Sequence, residues 1–331
     1  LGGLLTKDVG ELRRVFLSPG PIFDPEDRHD DYWGYTEAFY SVGFRPGDAV
    51  QVTFNYHLAP AGLMFEEPLR NLGCASIPAG PTDAATQLDI MQKLRVSGYV
   101  GTPSFLMHLA QRAEEKGLNL RKDLFLEVAF CTGERLSEKI RSQMEKKYDI
   151  IMRQGYGTAD VGCIGYECFQ KNGLHISNRC YVEICHPDTG IPLKDGEVGE
   201  VVVTAFNKTY PLIRLATGDL SYIDRTPCSC LGSIVGRVDT TARIKGMFVY
   251  PHQVEQVMAR FEEIKRWQIE VTNPGGVDEM VLYVEASNFK RKEELQHLFR
   301  ERIKLRPELR VLTPGSLPPQ IKPIEDKRVW D

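Results

Sequence analysis

The chain reads as an α/β protein. A large domain with a mostly parallel sheet and an antiparallel β lobe is followed by a small α+β C-terminal domain. Three observations predict this. Between Tyr35 and Ile151, short apolar runs alternate with patterns of helical period, which implies βαβ units and a parallel sheet. Between Gly165 and Thr204 the helical period is lost, and short β segments are joined by turns such as Pro187-Asp188-Thr189-Gly190 and Lys194-Asp195-Gly196, the texture of antiparallel strands. Beyond residue 239, two amphipathic helical patterns flank two strand-like runs. A chain of 331 residues is long enough for both domains, expected at 1–238 and 239–331.

Each element has a local reason. Leu17 to Asp27, L-S-P-G-P-I-F-D-P-E-D, follows Val15-Phe16 and is rich in turn formers. Residues 49–54 read as a strand, 63–72 as a helix and 74–77 as a short strand. Residues 84–94 are helical, with Leu88, Met91 and Leu94 on one face. Residues 98–101 end a strand at Thr102-Pro103-Ser104. The next helix is expected to bury Phe105, Leu109, Ala110 and Ala113, with Ser104 as its cap. A strand is expected at 124–130, then a helix capped by Ser137 with Ile140, Met144 and Tyr148 four apart, then a strand at 149–152. Ligands of parallel sheets lie at the carboxyl ends of the strands. Gly101-Thr102-Pro103, Thr132-Gly133-Glu134 and Gln154-Gly155-Tyr156 all fall there. The β lobe is expected from 173–176, 181–184 and 198–204. In the small domain a helix from Pro251 carries Val254, Val257, Met258 and Phe261. Strands follow at 267–272 and 279–286, then a helix with Leu295, Leu298, Phe299 and Ile303.

Composition excludes some functions. The net charge of −4 gives no basic footprint for nucleic acid. No apolar run approaches the length of a membrane span. The start, L-G-G-L-L-T-K-D-V-G, lacks the features of a signal peptide. It has no initiator Met and begins inside a helical-looking pattern, so an N-terminal portion is expected to be missing. Eight cysteines without a secretory signal imply a reducing cytoplasm, with thiols free or metal-bound. No Gly-x-Gly-x-x-Gly follows a strand, against a dinucleotide fold. A homodimer is expected.

The most informative stretch runs from Thr217 to Pro251. It opens T-G-D, passes through Gly236-Arg237-Val238-Asp239 and Arg243-Ile244-Lys245-Gly246, and ends M-F-V-Y-P. A carboxylate at Asp219 can accept from a vicinal diol and a guanidinium at Arg237 can donate to one, which suits a ribose. An exposed loop with a surface ion pair is the alternative. The stretch resembles the adenylate-forming enzymes, most closely the phenylacetate–coenzyme A ligase family, and the resemblance extends over nearly the whole chain. It implies that Asp219 and Arg237 hold the ribose of ATP or AMP and that Asp239 is the hinge to a mobile C-terminal domain.

The same resemblance assigns other motifs. Gln154-Gly155-Tyr156-Gly157-Thr158-Ala159-Asp160 is similar to the family's Y-G-x-T/S-E. It implies that Tyr156 packs on adenine, Thr158 meets the α-phosphate and Asp160 carries Mg²⁺, with Asp standing for the family's usual Glu. A Gly-rich turn before a buried strand is the other reading. Gly133 and Glu134 in Thr132-Gly133-Glu134-Arg135-Leu136-Ser137 are implied beside the adenine. Tyr99, Gly101, Thr102, Pro103 and Phe105 are implied around the acid substrate, or they are simply core. Beyond the hinge, Lys245 and Arg243 are implied in the thioester-forming state with coenzyme A. Two departures stand out. Where the family has a Ser/Thr/Gly phosphate loop ending in Gly-Lys, this chain keeps Ser18 and Gly20 but has Pro19 and Pro21, which donate no N–H, and Asp24, Glu26 and Asp27. Near the tail, aligning Arg328-Val329-Trp330-Asp331 with the family's R-V-x-D puts Glu325 where the catalytic lysine belongs. Lys327 is the expected substitute, with Lys322 as the alternative. Separately, Cys228 and Cys230 with Cys168 and His175 are expected to hold a structural zinc, although Cys163 and Cys185 compete for the third sulfur position. The alternative is scattered free thiols. The expected activity is ATP-dependent formation of an acyl-adenylate and transfer to coenzyme A. The alternatives are a degenerate nucleotide-binding protein and adenylation with another acceptor.

Overall fold

The computed structural model describes residues 2–18, 21–187, 189–225, 230–238, 242–245, 247–249, 251–318 and 322–329, without the side chains of 243, 248 and 252. The chain divides into two units, Leu1–Val238 and Asp239–Asp331. The α/β class expected from the strand–helix alternation holds.

The large unit is built on a sheet whose described strands run in the order Ile223–Asp224, Cys230–Leu231, Leu174–Ile176, Gly162–Tyr166, Ile151–Thr158, Val128–Cys131, Gly98–Gly101, Ala49–Val52, Ala75–Ile77. The last five are parallel to one another, and the first four add antiparallel. Side-chain alternation along each parallel strand divides the core between the two faces. Val50, Val52, Val100 and Phe130 pack with the helices Thr36–Val42 and Ala61–Asn71. Tyr99, Ala129, Cys131 and Met152 pack with Ala84–Leu94, Pro103–Glu115 and Glu138–Tyr148. A second sheet, antiparallel throughout, runs Cys180–Cys185, Gly199–Ala205, Leu212–Ser221, Gly236–Arg237.

The small unit has a four-stranded sheet in the order Glu308–Leu312, Glu279–Glu285, Arg266–Thr272, Ile324–Asp326. Ile269, Val271, Leu282 and Val284 meet Val254, Val257, Phe261, Leu295 and Phe299 in its core.

Four local readings differ from the sequence. Arg14–Ser18 and Ile22–Glu26 form an antiparallel hairpin rather than an irregular turn, because Phe16 and Leu17 alternate into a register that the turn formers only close. Strand 124–130 shrinks to Val128–Cys131. Phe125 takes a left-handed φ of 63° and Leu126 N–H bonds back to Leu120 O at 2.9 Å, so Leu124 and Leu126 are core residues of a loop. The helix 103–115 is capped by Thr102, whose side chain accepts from Phe105 N, with Pro103 in the first turn; Ser104 is not the cap. The T-G-D triplet lies inside the ten-residue strand Leu212–Ser221, where Gly218 at φ 76° supplies the bend. Among the described residues no helix is long and apolar enough to cross a membrane.

Candidate active site

The chain leaves Ala49–Val52 in one direction to Ala75–Ile77 and returns to Gly98–Gly101 on the other side, so the strand order reverses there. A crevice at the strand ends is the place for a ligand. Thr53, Tyr99 and Thr102 meet at this point. Thr53 Oγ1 donates to Tyr99 OH at 3.2 Å, and Tyr99 OH donates to Thr102 O at 3.1 Å. Tyr99 is fully buried, and burial drives its phenol well above its ordinary pKa. Its hydroxyl is therefore committed to holding the turn after Gly101. Any side chain at Gly101 would collide with Thr53 and Tyr99. Of the expected acid-pocket group, Thr102 and Phe105 remain half-exposed.

The adjacent strand ends carry the nucleotide candidates. Tyr156 OH donates to Asp219 Oδ2 at 2.8 Å and lies 3.2 Å from Thr217 Oγ1. Arg237 Nη1 donates to Asp219 Oδ1 at 2.7 Å, and Asp219 and Arg237 are register partners across the second sheet. Two residues far apart in sequence, Tyr156 and Arg237, thus converge on the Asp219 carboxylate. Each carboxylate oxygen can accept more than one hydrogen bond, so the cluster retains acceptor capacity for a diol. Thr158 Oγ1 accepts from Val161 N at 3.2 Å, which leaves its own O–H to donate. Glycines at 155 and 157 let the strand pass close to Phe130 and to Gly162, where a Cβ would collide. Gly133 turns the chain at φ 85°, and Leu136 N–H donates to Gln154 Oε1 at 3.3 Å. Thr217 is a member of the cluster that the sequence did not single out, although it stands in the quoted T-G-D.

A second feature is acidic. Asp24 is fully buried, and among the described residues neither carboxylate oxygen has a hydrogen-bond partner. Burial, and next to it the Asp160 carboxylate, push its pKa up to about 6; nearby Ser18 moderates the rise without a well-formed bond to either oxygen. Burial raises Asp160 as well. Asp24 pairs in register with Phe16, whose ring is 6.4 Å from that of Trp33, and Trp33 O accepts from Cys163 N. The hairpin thereby packs against the turn that carries Asp160. Pro19 and Gly20 lie outside the described residues.

The cysteine candidates separate. His175 Nε2 is 3.0 Å from Cys168 Sγ, and Cys230 is the register partner of His175. Cys163 is in the core, and Cys185 is buried beside Arg214, whose Nη2 is 3.4 Å from its sulfur. Cys168, not its competitors, joins His175. Cys230 is in a disulfide, and Cys228 lies outside the described residues. Among the described residues no three His, Cys, Asp or Glu side chains are placed to hold a metal.

In the small unit, Lys327 Nζ is 2.7 Å from Glu270 and 3.4 Å from Glu325. The Lys327 amine thus lies beside the side chain of Glu325, two residues earlier. Arg328 is 9% exposed and bonds Asp278 and Asp326. Asp278 also accepts from Lys245 N at 3.0 Å. The arginine of R-V-x-D thus ties the tail to the loop of Lys245, whose side chain is exposed. Asp239, the expected hinge, and Trp330 and Asp331 lie outside the described residues.

The fold and the family matches together define a class: an AMP-binding, adenylate-forming enzyme. The family "AMP-binding enzyme" matches residues 36–207, and "AMP-binding enzyme C-terminal domain" matches 246–331. A phenylacetate–coenzyme A ligase of Thermus thermophilus is 32% identical over 86% of this chain and 68% of its own length. One of Pseudomonas putida is 29% identical over 78% of this chain and 60% of its own length. The chain belongs to the phenylacetate–coenzyme A ligase family and is an AMP-forming acid–coenzyme A ligase. Among solved structures, a 2-hydroxyisobutyryl-CoA ligase in complex with its acyl-AMP and CoA has the same fold, with a TM-score of 0.84 and 22% identity over 98% of this chain and 76% of that one. An amide bond synthetase from Marinactinospora thermotolerans aligns at a TM-score of 0.71 and 16% identity, covering 93% and 66% of the two chains.

Proposed function

We propose that this ligase activates an aryl or acyl carboxylic acid at the strand ends of its large unit, with Tyr156, Asp219 and Arg237 holding the nucleoside of ATP. The convergence of Tyr156 and Arg237 on the Asp219 carboxylate is the observation that carries the reading. A carboxylate oxygen attacks the α-phosphorus, pyrophosphate leaves, and the thiolate of coenzyme A then displaces AMP from the acyl-adenylate. The thioester step uses Lys245 and Arg243 of the small unit after a rotation about Asp239. Thr158 donates to the α-phosphate. Gly133 and Glu134 border the adenine, and Thr102 and Phe105 border the acid. Lowering the barrier is mainly a matter of positioning and charge neutralisation.

Asp160 would hold Mg²⁺. The fit rests on the buried, unpartnered oxygens of Asp24 beside it, since a cation is what two desolvated carboxylates lack. Bound there, Mg²⁺ supplies neutralisation of phosphate charge. The test of the nucleotide site is calorimetry with AMP. Asp219→Ala removes the acceptor shared by Tyr156 and Arg237 and is expected to cost about 1–3 kcal/mol of binding. Unchanged affinity would overturn the assignment.

Cys168, His175, Cys228 and Cys230 would hold a structural zinc when the sulfurs are reduced, because the metal takes thiolates. The 3.0 Å Cys168–His175 approach supports this; the disulfide at Cys230 is the competing state. Protein purified with a thiol reductant and without chelator is expected to carry about one zinc per chain. Cys168→Ser should lose it and melt at lower temperature. Metal-free protein of unchanged stability would leave the free-thiol reading.

One observation favours binding without turnover. The hairpin at the phosphate-loop position presents Asp24, not a cation, towards Asp160. Pyrophosphate exchange with a panel of aryl and acyl acids decides between the two.

A further inference from the structure

Glu167 closes the strand Gly162–Tyr166, every residue of which is buried. A charged residue at the end of such a strand must be paired. Its side chain is 4% exposed, and its partner Arg141, on the helix Glu138–Tyr148, is 3% exposed; the two meet at 2.7 Å. Arg141 also donates to Met152 O at 2.7 Å and to Glu138 at 3.0 Å, which fixes the guanidinium between helix and strand.

Among the described residues, the other bonds to Glu167 come from one residue. Gln154 Nε2 donates to Glu167 Oε1 at 2.8 Å, and Gln154 N donates to Glu167 Oε2 at 3.0 Å. An ionised carboxylate only accepts, so it dictates which end of the amide faces it. The NH₂ of Gln154 must point to Glu167, and its oxygen is turned to the other side. There it accepts from Leu136 N at 3.3 Å. A continuous line therefore runs from Arg141 through Glu167 and Gln154 to the backbone of the segment that follows Gly133 and Glu134.

We propose that Glu167 is the positioning residue of the nucleotide site. Through the Gln154 amide it sets the separation between the Thr132–Leu136 segment and the strand bearing Tyr156. The inference rests on the reading of these two segments as walls of the adenine site. Glu167 touches no substrate in this account. Glutamine at 167 would bring an NH₂ where only acceptors work, leave Arg141 short of charge, and release the Gln154 amide to flip, so Leu136 N–H loses its acceptor.

The test measures AMP binding by calorimetry together with hydrogen exchange at Leu136. Glu167→Gln is expected to weaken AMP binding about tenfold, to raise KM for ATP by a similar factor with kcat changed less than about twofold, and to speed exchange at Leu136 N–H. Gln154→Leu should do the same, and the double variant should lose no more than the worse single one, because both cut one line. Arg141→Met with Glu167→Met replaces the buried pair by apolar packing, which is often neutral for stability. That variant should fold and still bind AMP weakly. Wild-type affinity and Leu136 protection in Glu167→Gln would overturn the proposal, as would additive losses in the double variant. Wild-type protein that binds no AMP would overturn the nucleotide reading itself, and the positioning role with it.

Discussion

Lys327→Ala is expected to reduce acid-dependent pyrophosphate exchange by about 10²–10³, the scale of removing one charge-stabilising donor from a transition state, while AMP binding is unchanged. A cation must neutralise charge as the carboxylate meets the α-phosphate. The phosphate-loop segment offers acidic residues in place of the family's lysine. Lys327 forms ion pairs with Glu270 and Glu325, but its side chain is 48% exposed. Exposed pairs are worth only about 0–1 kcal/mol, so the amine exchanges its carboxylates for phosphate oxygens at little cost. For the same reason the substitution should hardly alter stability. Given a preformed acyl-adenylate and coenzyme A, the variant should still make thioester. If Lys327→Ala exchanges pyrophosphate like the wild type, the role passes to Lys322. If the wild type exchanges with no acid, the protein binds nucleotide without turnover.

Asp24→Asn should make the large unit more stable, and more so at high pH. The folded-state pKa of Asp24, about 6, lies above that of an unfolded aspartate, about 4. A carboxyl raised in this way is most compatible with folding when protonated. Its favourable contribution is present below pH 4 and is lost as pH rises through 6. Above that, keeping the charge buried costs on the order of 2–3 kcal/mol. Without divalent cations, Asp24→Asn is therefore expected to raise Tm by roughly 5–10 °C at pH 8, and most of the gain should vanish by pH 4.5. Equal melting of variant and wild type at pH 8 would mean that the Asp24 carboxylate is already compensated there.

The sequence by itself determined the class and the segments from which the candidate nucleotide site is drawn. Period decides whether an apolar run is strand or helix, and the alternation from Tyr35 to Ile151 was regular enough to give the parallel sheet. The T-G-D and G-Y-G-T segments were legible because glycine and carboxylate at fixed spacing are local properties. Other features were not local. The shortening of strand 124–130 followed from one left-handed residue, Phe125, in a stretch whose composition looks like strand. The convergence of Tyr156 and Arg237 on Asp219 required two sheets to meet. That Cys168 and not Cys163 joins His175 depended on packing: Cys163 is buried in the core within the strand, and Cys168 lies beyond the strand's end, where His175 reaches it. Burial decided the rest. Asp24 reads in sequence as an acidic surface turn, but the hairpin carries it inside against Asp160. Glu167 reads as one more charge before a cysteine, and only the helix above the sheet brings Arg141 to it. Desolvation and pairing are set by what packs on a residue from distant parts of the chain, and for these residues that is a property of the tertiary structure alone.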